Sequence, residues 1–293
     1  MGAAYPLGMR ARGAERERAI PPQLGLDPET AASLLADFVR SETHKAGMRR
    51  VVLGLSGGID SATSAAIACR ALGPANVQCA LLPYRTSSPS SLRDARRVAR
   101  ILKTRTVKVD ISPMIDAYFG RHGRATRLRR GNKMARERMS ILYDLSAKGA
   151  ALVLGTSNKT ELLLGYGTIF GDTACAINPL GDLYKTQVRL LAPHFGIPPD
   201  VVWKTPSADL WEGQSDEGEL GYKYADIDRL LALLVDRRAT RAEAIAAGFT
   251  RHMVDRITAR IVRSQFKRRP PVVAKVSPRT VNIDFRYPRD WGR

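Results

Sequence analysis

The sequence predicts an α/β fold: a doubly wound, mainly parallel sheet followed by a group of C-terminal helices. Three observations carry this. Four short apolar runs of β type alternate with helical-looking segments across residues 49–155. A glycine-rich turn, SGGIDS at 56–61, stands between the first run and the segment after it. Beyond Leu210 the apolar residues keep a 3.6-residue spacing and no strand run appears. Strands that alternate with helices form parallel sheets covered on both faces.

In chain order, Asp27 followed by Pro28 reads as a helix N-cap with proline in the first turn. Leu34, Leu35 and Phe38 then recur at helical spacing, and the helix is expected to run to about Lys45. The strand runs are RRVVLGL (49–55), VQCALLP (77–83), RTVKVD (105–110) and ALVLG (151–155). In such a sheet ligands bind beyond the carboxyl ends of the strands, so the loops after Leu55, Leu82, Asp110 and Leu154 are expected at one rim. YADIDRLLALLVD and RAEAIAAGFTRHMVDRITARIVRSQ carry the C-terminal helical pattern. The first 24 residues read as a flexible tail and residues 271–293 as an extended one.

The chain of 293 residues is 44% hydrophobic and 26% charged, as in soluble globular proteins. No apolar run approaches the roughly 18 residues a membrane helix requires, and the N-terminus lacks the apolar core of a secretory signal. Three cysteines, Cys69, Cys79 and Cys175, show no CxxC spacing, an odd count that fits a reducing compartment, so the cytoplasm is expected. The four histidines form no helical pair, which leaves no case for zinc. Any metal is expected to be a hard cation on carboxylates and phosphate. Lysine and arginine exceed the acids by 47 to 28, a net charge of +19 concentrated at residues 121–138 and 266–279. Such a charge attracts polyanions, whether nucleic acid or a phosphate-rich small substrate, and part of it belongs to solvated loops.

SGGIDS at the end of a strand presents bare N–H groups and the positive end of a helix dipole, which together attract an anion. Gly57 and Gly58 let the backbone come close to a phosphate, while Ser56, Ser61 and Asp60 add hydroxyls and a metal-ligating carboxylate. The GxxxxGK[ST] pattern is absent, so the lysine a Walker loop directs at the β and γ phosphates is missing. A different nucleotide chemistry follows, in which the loop grips a pyrophosphate leaving group and Asp60 holds Mg²⁺. The stretch after the fourth strand adds Thr156, Glu161, Asp172 and Lys185. Asp60 and Glu161 supply the one or two carboxylates Mg²⁺ takes beside phosphate oxygens, and Lys185 counters the pyrophosphate charge.

SGGIDS resembles the signature of the N-type ATP pyrophosphatases, which cleave ATP to AMP and pyrophosphate while adenylating a substrate. Asparagine synthetases, GMP synthetases, tRNA-modifying enzymes and NAD synthetases share it. GTSNKTELLLGY, FGD, NPLGDLYKTQV and PSADLWEGQSDEGELGYKYADID together resemble NAD synthetases. LPYRTSSPSS, GNKMARERM and FKRRPP are also similar, and the resemblance covers residues 25–272.

The resemblance implies an adenine nucleotide alpha hydrolase-like fold over 25–270 and the ammonia-dependent type, with no room for the glutaminase domain of larger relatives. The carboxylate of deamido-NAD attacks ATP to give an adenylate and pyrophosphate, and ammonia then displaces AMP. Matching positions assign Gly54, Ser56, Gly57, Gly58, Asp60, Ser61, Thr156, Lys185 and Ser207 to ATP and Asp60 and Glu161 to Mg²⁺. Arg136 and Lys267 are assigned to deamido-NAD, with Asp60, Lys185 and Asp172 catalytic. A homodimer with the deamido-NAD site at its interface is implied, which gives the basic run a use without nucleic acid. Gly167, Ile169 and Ala176 stand where many members carry an aromatic residue, a lysine and an aspartate, so the ATP half matches more closely. A tRNA-modifying ATP pyrophosphatase is the competing expectation, since strong positive charge is natural there. A nucleotide-binding module without catalysis is the third, against which Asp60, Glu161 and Lys185 speak.

Overall fold

The computed structural model describes residues 24–211, 213–281 and 283–285. The four strand runs form one parallel sheet: β1 (Arg50–Gly54), β2 (Val77–Leu81), β3 (Arg105–Lys108) and β4 (Ala151–Val153), in the order β3-β2-β1-β4. Register is set by Val51 opposite Val77, Arg50 opposite Ala151 and Gln78 opposite Arg105. The alternation along β1 sends Val51 and Leu53 to one face and Val52 to the other.

Each face is covered by its own helices. On the first, α1 (Pro28–Lys45), α2 (Ile59–Leu72), α3 (Pro89–Leu102) and α7 (Lys185–Leu191) pack onto Val51, Leu53, Val77 and Cys79. On the second, α4 (Ser112–His122) and α5 (Arg127–Gly149) bury Ile115, Phe119, Met134 and Leu142 against Val52, Ala80 and Val153. Burying each such large apolar side chain stabilises the fold by about 1.5–3 kcal/mol. The sheet is therefore doubly wound, as expected. In α2 the buried face is Ala62, Ala65, Ala66 and Ala68 around Ile67, small side chains that let the helix lie close on the strands.

Asp27 caps α1 by accepting from the Thr30 N–H at 2.8 Å. The buried face of this helix is made mainly of small residues, with Leu35 packed beside it. Ala31, Ala32, Ala36 and Val39 are buried, whereas Leu34 is 65% and Phe38 38% exposed. The alanine face fits against the equally small-sided α2, and this displaces the bulky residues to the surface. The thiol pKa values of Cys69 and Cys79 are pushed up by burial to about 12 and about 11, so both act as apolar side chains.

A second cluster joins the C-terminal helices α9 (Asp216–Leu220), α10 (Tyr224–Leu231), α11 (Arg241–Ala246) and α12 (Arg251–Arg263) to the short helix α6 (Lys159–Leu164), with a π-helical turn at Ala232–Asp236 after α10. Between them α8 (Pro199–Val202) follows α7. The stretch 241–265, expected to be helical, forms two helices. Gly248 takes φ +97, and Thr250 then caps α12 by accepting from the Met253 N–H at 3.2 Å. After Arg268 the chain is irregular, with an isolated bridge between Val281 and Phe285. The expectations for residues 1–23 and 286–293 lie outside the described residues. No helix among the described residues is long and apolar enough to cross a membrane.

Candidate active site

The carboxyl end of β1 runs through Gly54 into the 56–61 turn and on into α2. Gly57 adopts φ +84, and a β-carbon there would stand 2.1 Å from the Ser91 carbonyl oxygen at the start of α3, so only glycine fits. Gly58 is the N-cap of α2 and has no side chain to cover the first N–H groups. The serines brace the turn from within. Ser61 Oγ accepts from the Ser56 N–H at 3.1 Å and donates to the Gly58 carbonyl at 3.1 Å, and Ser56 Oγ accepts from the Gly58 N–H at 3.2 Å. The result is a preformed cradle whose free donors point along the axis of a 14-residue helix.

Beside the cradle lies a buried charge cluster. Asp60 extends from the first turn of α2. Glu161 is fixed on α6 by a reciprocal cap in which the Glu161 N–H donates to Asn158 Oδ1 at 3.0 Å and the Asn158 N–H donates to Glu161 Oε2 at 3.3 Å. Lys185, the first residue of α7 and only 3% exposed, donates to Asp60 Oδ2 and, at 3.3 Å, to Glu161 Oε1. Asn158 Nδ2 donates to the other Asp60 oxygen at 3.0 Å, and Lys185 Nζ lies 5.3 Å from the centre of the Tyr224 ring. Burial, together with the negative charges of Asp60 and Asp216, raises the pKa of Glu161 against the pull of Lys185. Burial disfavours the charged form of Lys185, but Asp60 and Glu161 more than offset it, so its pKa is raised.

The donor set suits a hard cation. Asp60 and Glu161 meet on one ammonium group, and carboxylate oxygens are donors of the type Mg²⁺ prefers, so these two residues would hold such an ion. Among the described residues no group of three or more histidine, cysteine or acidic side chains is arranged to hold a metal by itself. Such a site is complete only with oxygens from a phosphate ligand or water.

A further layer holds these groups. Asp228, fully buried on α10, accepts from Thr160 Oγ1 at 2.6 Å and from the Thr186 N–H at 2.8 Å, while Thr160 Oγ1 accepts from the Lys185 N–H at 3.0 Å. One carboxylate thereby ties the starts of α6 and α7, which carry Glu161 and Lys185. Burial pushes its pKa up to about 6 against these hydrogen bonds. Asp216 accepts from Tyr166 Oη at 3.0 Å and from Tyr224 Oη at 3.3 Å.

Of the residues singled out from the sequence, Gly54, Ser56, Gly57, Gly58, Asp60, Ser61, Thr156, Glu161 and Lys185 gather where β1 and β4 end. Ser207 lies on an exposed loop, where its Oγ accepts from the Asp209 N–H at 3.1 Å. Asp209 in turn accepts from the Ser88 N–H at 3.0 Å, which joins that loop to the one after β2.

Asp172 belongs to a different place. It accepts from the Thr168 N–H at 2.7 Å within its own loop and shares no hydrogen bond or ion pair with Asp60, Glu161 or Lys185 among the described residues. Arg136 Nε donates to the Ile169 carbonyl at 3.2 Å, and Lys267 Nζ donates to the Gly165 and Gly167 carbonyls at 2.8 and 2.7 Å. These three residues meet around the 165–172 loop, and Lys267 lines one small cavity together with Glu161. Asn158, Thr160, Asp216, Tyr224 and Asp228 were not picked out by sequence reasoning. The acids of the 206–228 stretch were visible, but which of them fold inward depends on how α9 and α10 dock.

The family model NAD synthase matches residues 31–271. The chain is 54% identical over 271 residues to the NH(3)-dependent NAD(+) synthetase of Trichlorobacter lovleyi, covering 92% of this chain and 99% of that one. Among solved structures it is similar to the NH3-dependent NAD synthetase of Campylobacter jejuni, at 33% identity and a TM-score of 0.73 over 86% of this chain and 100% of that one. It is also similar to the NMN synthetase of Francisella tularensis, at 30% identity and a TM-score of 0.75 over 85% of this chain and 99% of that one.

Proposed function

Starting from the premise that the chain belongs to the NAD synthase family, we infer that it is a ligase that amidates deamido-NAD with ammonia to give NAD, consuming ATP and releasing AMP and pyrophosphate. The single observation that carries this reading is the joining of a glycine cradle to the Asp60–Lys185–Glu161 cluster. A carboxylate is a poor acyl donor, so its activation requires a leaving group, and the cradle is built to receive one.

The proposed division of labour follows from position. Ser56 to Ser61 bind the β and γ phosphates through backbone N–H groups and the α2 dipole. Asp60 and Glu161 would hold Mg²⁺, which when bound neutralises phosphate oxygens and the departing pyrophosphate. Lys185, delivered to the same place, adds its positive charge to that leaving group. Thr156 and Ser207 flank the nucleotide. Arg136, Lys267 and Asp172 lie around the 165–172 loop and serve the deamido-NAD side, Asp172 by bracing the turn that presents it. The carboxylate oxygen bonds to the α-phosphorus as the bond to the β-phosphate oxygen breaks. Ammonia then attacks the acyl carbon, AMP leaves, and the nitrogen loses a proton. Catalysis rests on placement and charge neutralisation, with no enzyme nucleophile.

The ammonia-dependent name of the 54% identical relative supports ammonia as the donor and a dinucleotide over the mononucleotide named for the Francisella structure. The elevated thiol pKa values support the absence of a cysteine nucleophile. We place the enzyme in the cytoplasm as a homodimer whose interface holds the deamido-NAD site beside the basic stretch 121–138. Purified protein given ATP, Mg²⁺ and deamido-NAD is expected to form NAD with ammonium and almost none with glutamine. Equal rates with the two donors would overturn the ammonia assignment.

A further inference from the structure

Three cations of the basic run have partners for their side chains at or near the surface. Arg130 donates to Tyr84 Oη at 3.1 Å and lies 3.6 Å from Asp116, Lys133 pairs with Glu137, and Arg136 holds the Ile169 carbonyl. Arg138 differs. It is part-buried on α5, its Nε donates to the Leu82 carbonyl at 3.0 Å, and among the described residues it forms no ion pair. A guanidinium carries five N–H donors, so this contact leaves the terminal nitrogens free, and they are not sealed inside protein. Burial lowers its pKa, and the charges of Asp209 and Asp172 do not offset this. A partly desolvated cation held by one carbonyl is unfavourable in the free protein and becomes favourable when an anion arrives.

The location says which anion. Leu82 directly follows β2, and one turn along α5 from Arg138 the Leu142 side chain comes within 3.6 Å of a β-carbon built on Gly54, at the end of β1. Arg138 therefore stands at the carboxyl ends of the two strands beside the cradle. The two acids whose fields reach it belong to different loops: Asp209 to the loop with Ser207, and Asp172 to the loop held by Arg136 and Lys267. The first loop belongs to the ATP side and the second to the deamido-NAD side. On the functional reading above, Arg138 is thus within reach of the loops that serve both substrates.

We propose that the terminal N–H groups of Arg138 bind the α-phosphoryl oxygens of ATP where the deamido-NAD carboxylate attacks, making it a substrate-contacting residue of the adenylation step. This rests on the functional reading above. As the carboxylate oxygen adds to phosphorus and pyrophosphate departs, no proton moves, and the gathering negative charge is met by a fixed, forked cation. The β and γ phosphates have the cradle and Lys185, so the α-phosphoryl group is the one left for Arg138.

The test is deamido-NAD-dependent pyrophosphate release by wild type, R138Q, R138K and R138A, with melting curves for each. R138Q keeps a similar reach and loses the charge. Its kcat is expected to fall about 100-fold with the KM for ATP within about threefold, in line with loss of one transition-state donor. R138K keeps the charge and the stem and so preserves the fold; it is expected to lose about tenfold in kcat without a shift in melting. Guanidinium ion added to R138A is expected to restore part of the lost rate, which a purely structural role would not allow. R138Q and R138K turning over within threefold of wild type, or R138A showing no rescue, would overturn the assignment alone. A wild-type protein that releases no pyrophosphate with deamido-NAD would overturn the functional reading and this assignment with it.

Discussion

Replacing Gly57 by alanine tests the cradle directly, because two separate costs are legible at that position. Gly57 sits at φ +84, where a side chain costs about 1–2 kcal/mol. The added carbon would also lie 2.1 Å from the Ser91 carbonyl oxygen and 3.1 Å from the Ala95 N, both backbone atoms of α3 that no rotamer change can move. Overpacking of this kind costs about 1–3 kcal/mol when the surroundings must shift. The expected loss is therefore about 2–5 kcal/mol. Gly47 provides the control: its φ is +72 and nothing lies within 4 Å of an added carbon, so Gly47→Ala carries the conformational cost alone. Urea unfolding of the two variants beside wild type gives the difference, and the KM for ATP reports whether the turn has left α3. Gly57→Ala is expected to be less stable than Gly47→Ala by at least about 1 kcal/mol and to raise the KM for ATP. Two variants equal in stability, with ATP binding unchanged, would refute the reasoning.

Asp228 gives the fold a titration of its own. Its folded pKa of about 6 lies above the unfolded value of about 3.9, so the stability associated with its protonated form is complete below about pH 4 and is lost as pH rises through 6. The loss amounts to about 3 kcal/mol, on the order of two pKa units. Asp228→Asn is expected to lack this slope between pH 4 and 6 in unfolding measurements, and parallel pH curves for variant and wild type would contradict it. Asp60→Asn and Glu161→Gln are each expected to abolish pyrophosphate release with the fold retained, since Lys185 keeps one carboxylate partner in either variant. Wild-type turnover in either would sink the metal assignment.

The sheet was legible in the sequence because its signals are local. Each apolar run is bounded by turn residues, and the parallel order follows from the helices between them. Asp60, Glu161 and Lys185 were readable as chemistry because each follows a recognisable turn or helix start. Their meeting was not, since it joins positions 60, 161 and 185 through a fold that no local pattern encodes. The supporting residues were hidden for the same reason: Asp228 looks like any helix acid until α10 docks and turns it onto Thr160 and the Thr186 N–H. In α1 the helical spacing of Leu34, Leu35 and Phe38 marked the helix, while its fully buried face is the small-sided Ala31, Ala32 and Ala36 with Val39, because the neighbour is an alanine-lined helix. Gly248 is the local signal in the sequence for the break before α12.

The central claim is that the cradle and the carboxylate pair activate the carboxylate of deamido-NAD. The measurement that tests it most directly is AMP formation from ATP and Mg²⁺ by purified protein, with deamido-NAD or tRNA added separately, in the presence of ammonium. Deamido-NAD is expected to stimulate AMP release, with one NAD formed per AMP, and tRNA to leave the rate unchanged. Stimulation by tRNA with none by deamido-NAD would contradict the account; weak salt-sensitive tRNA binding without stimulation would not, because a net charge of +19 predicts it.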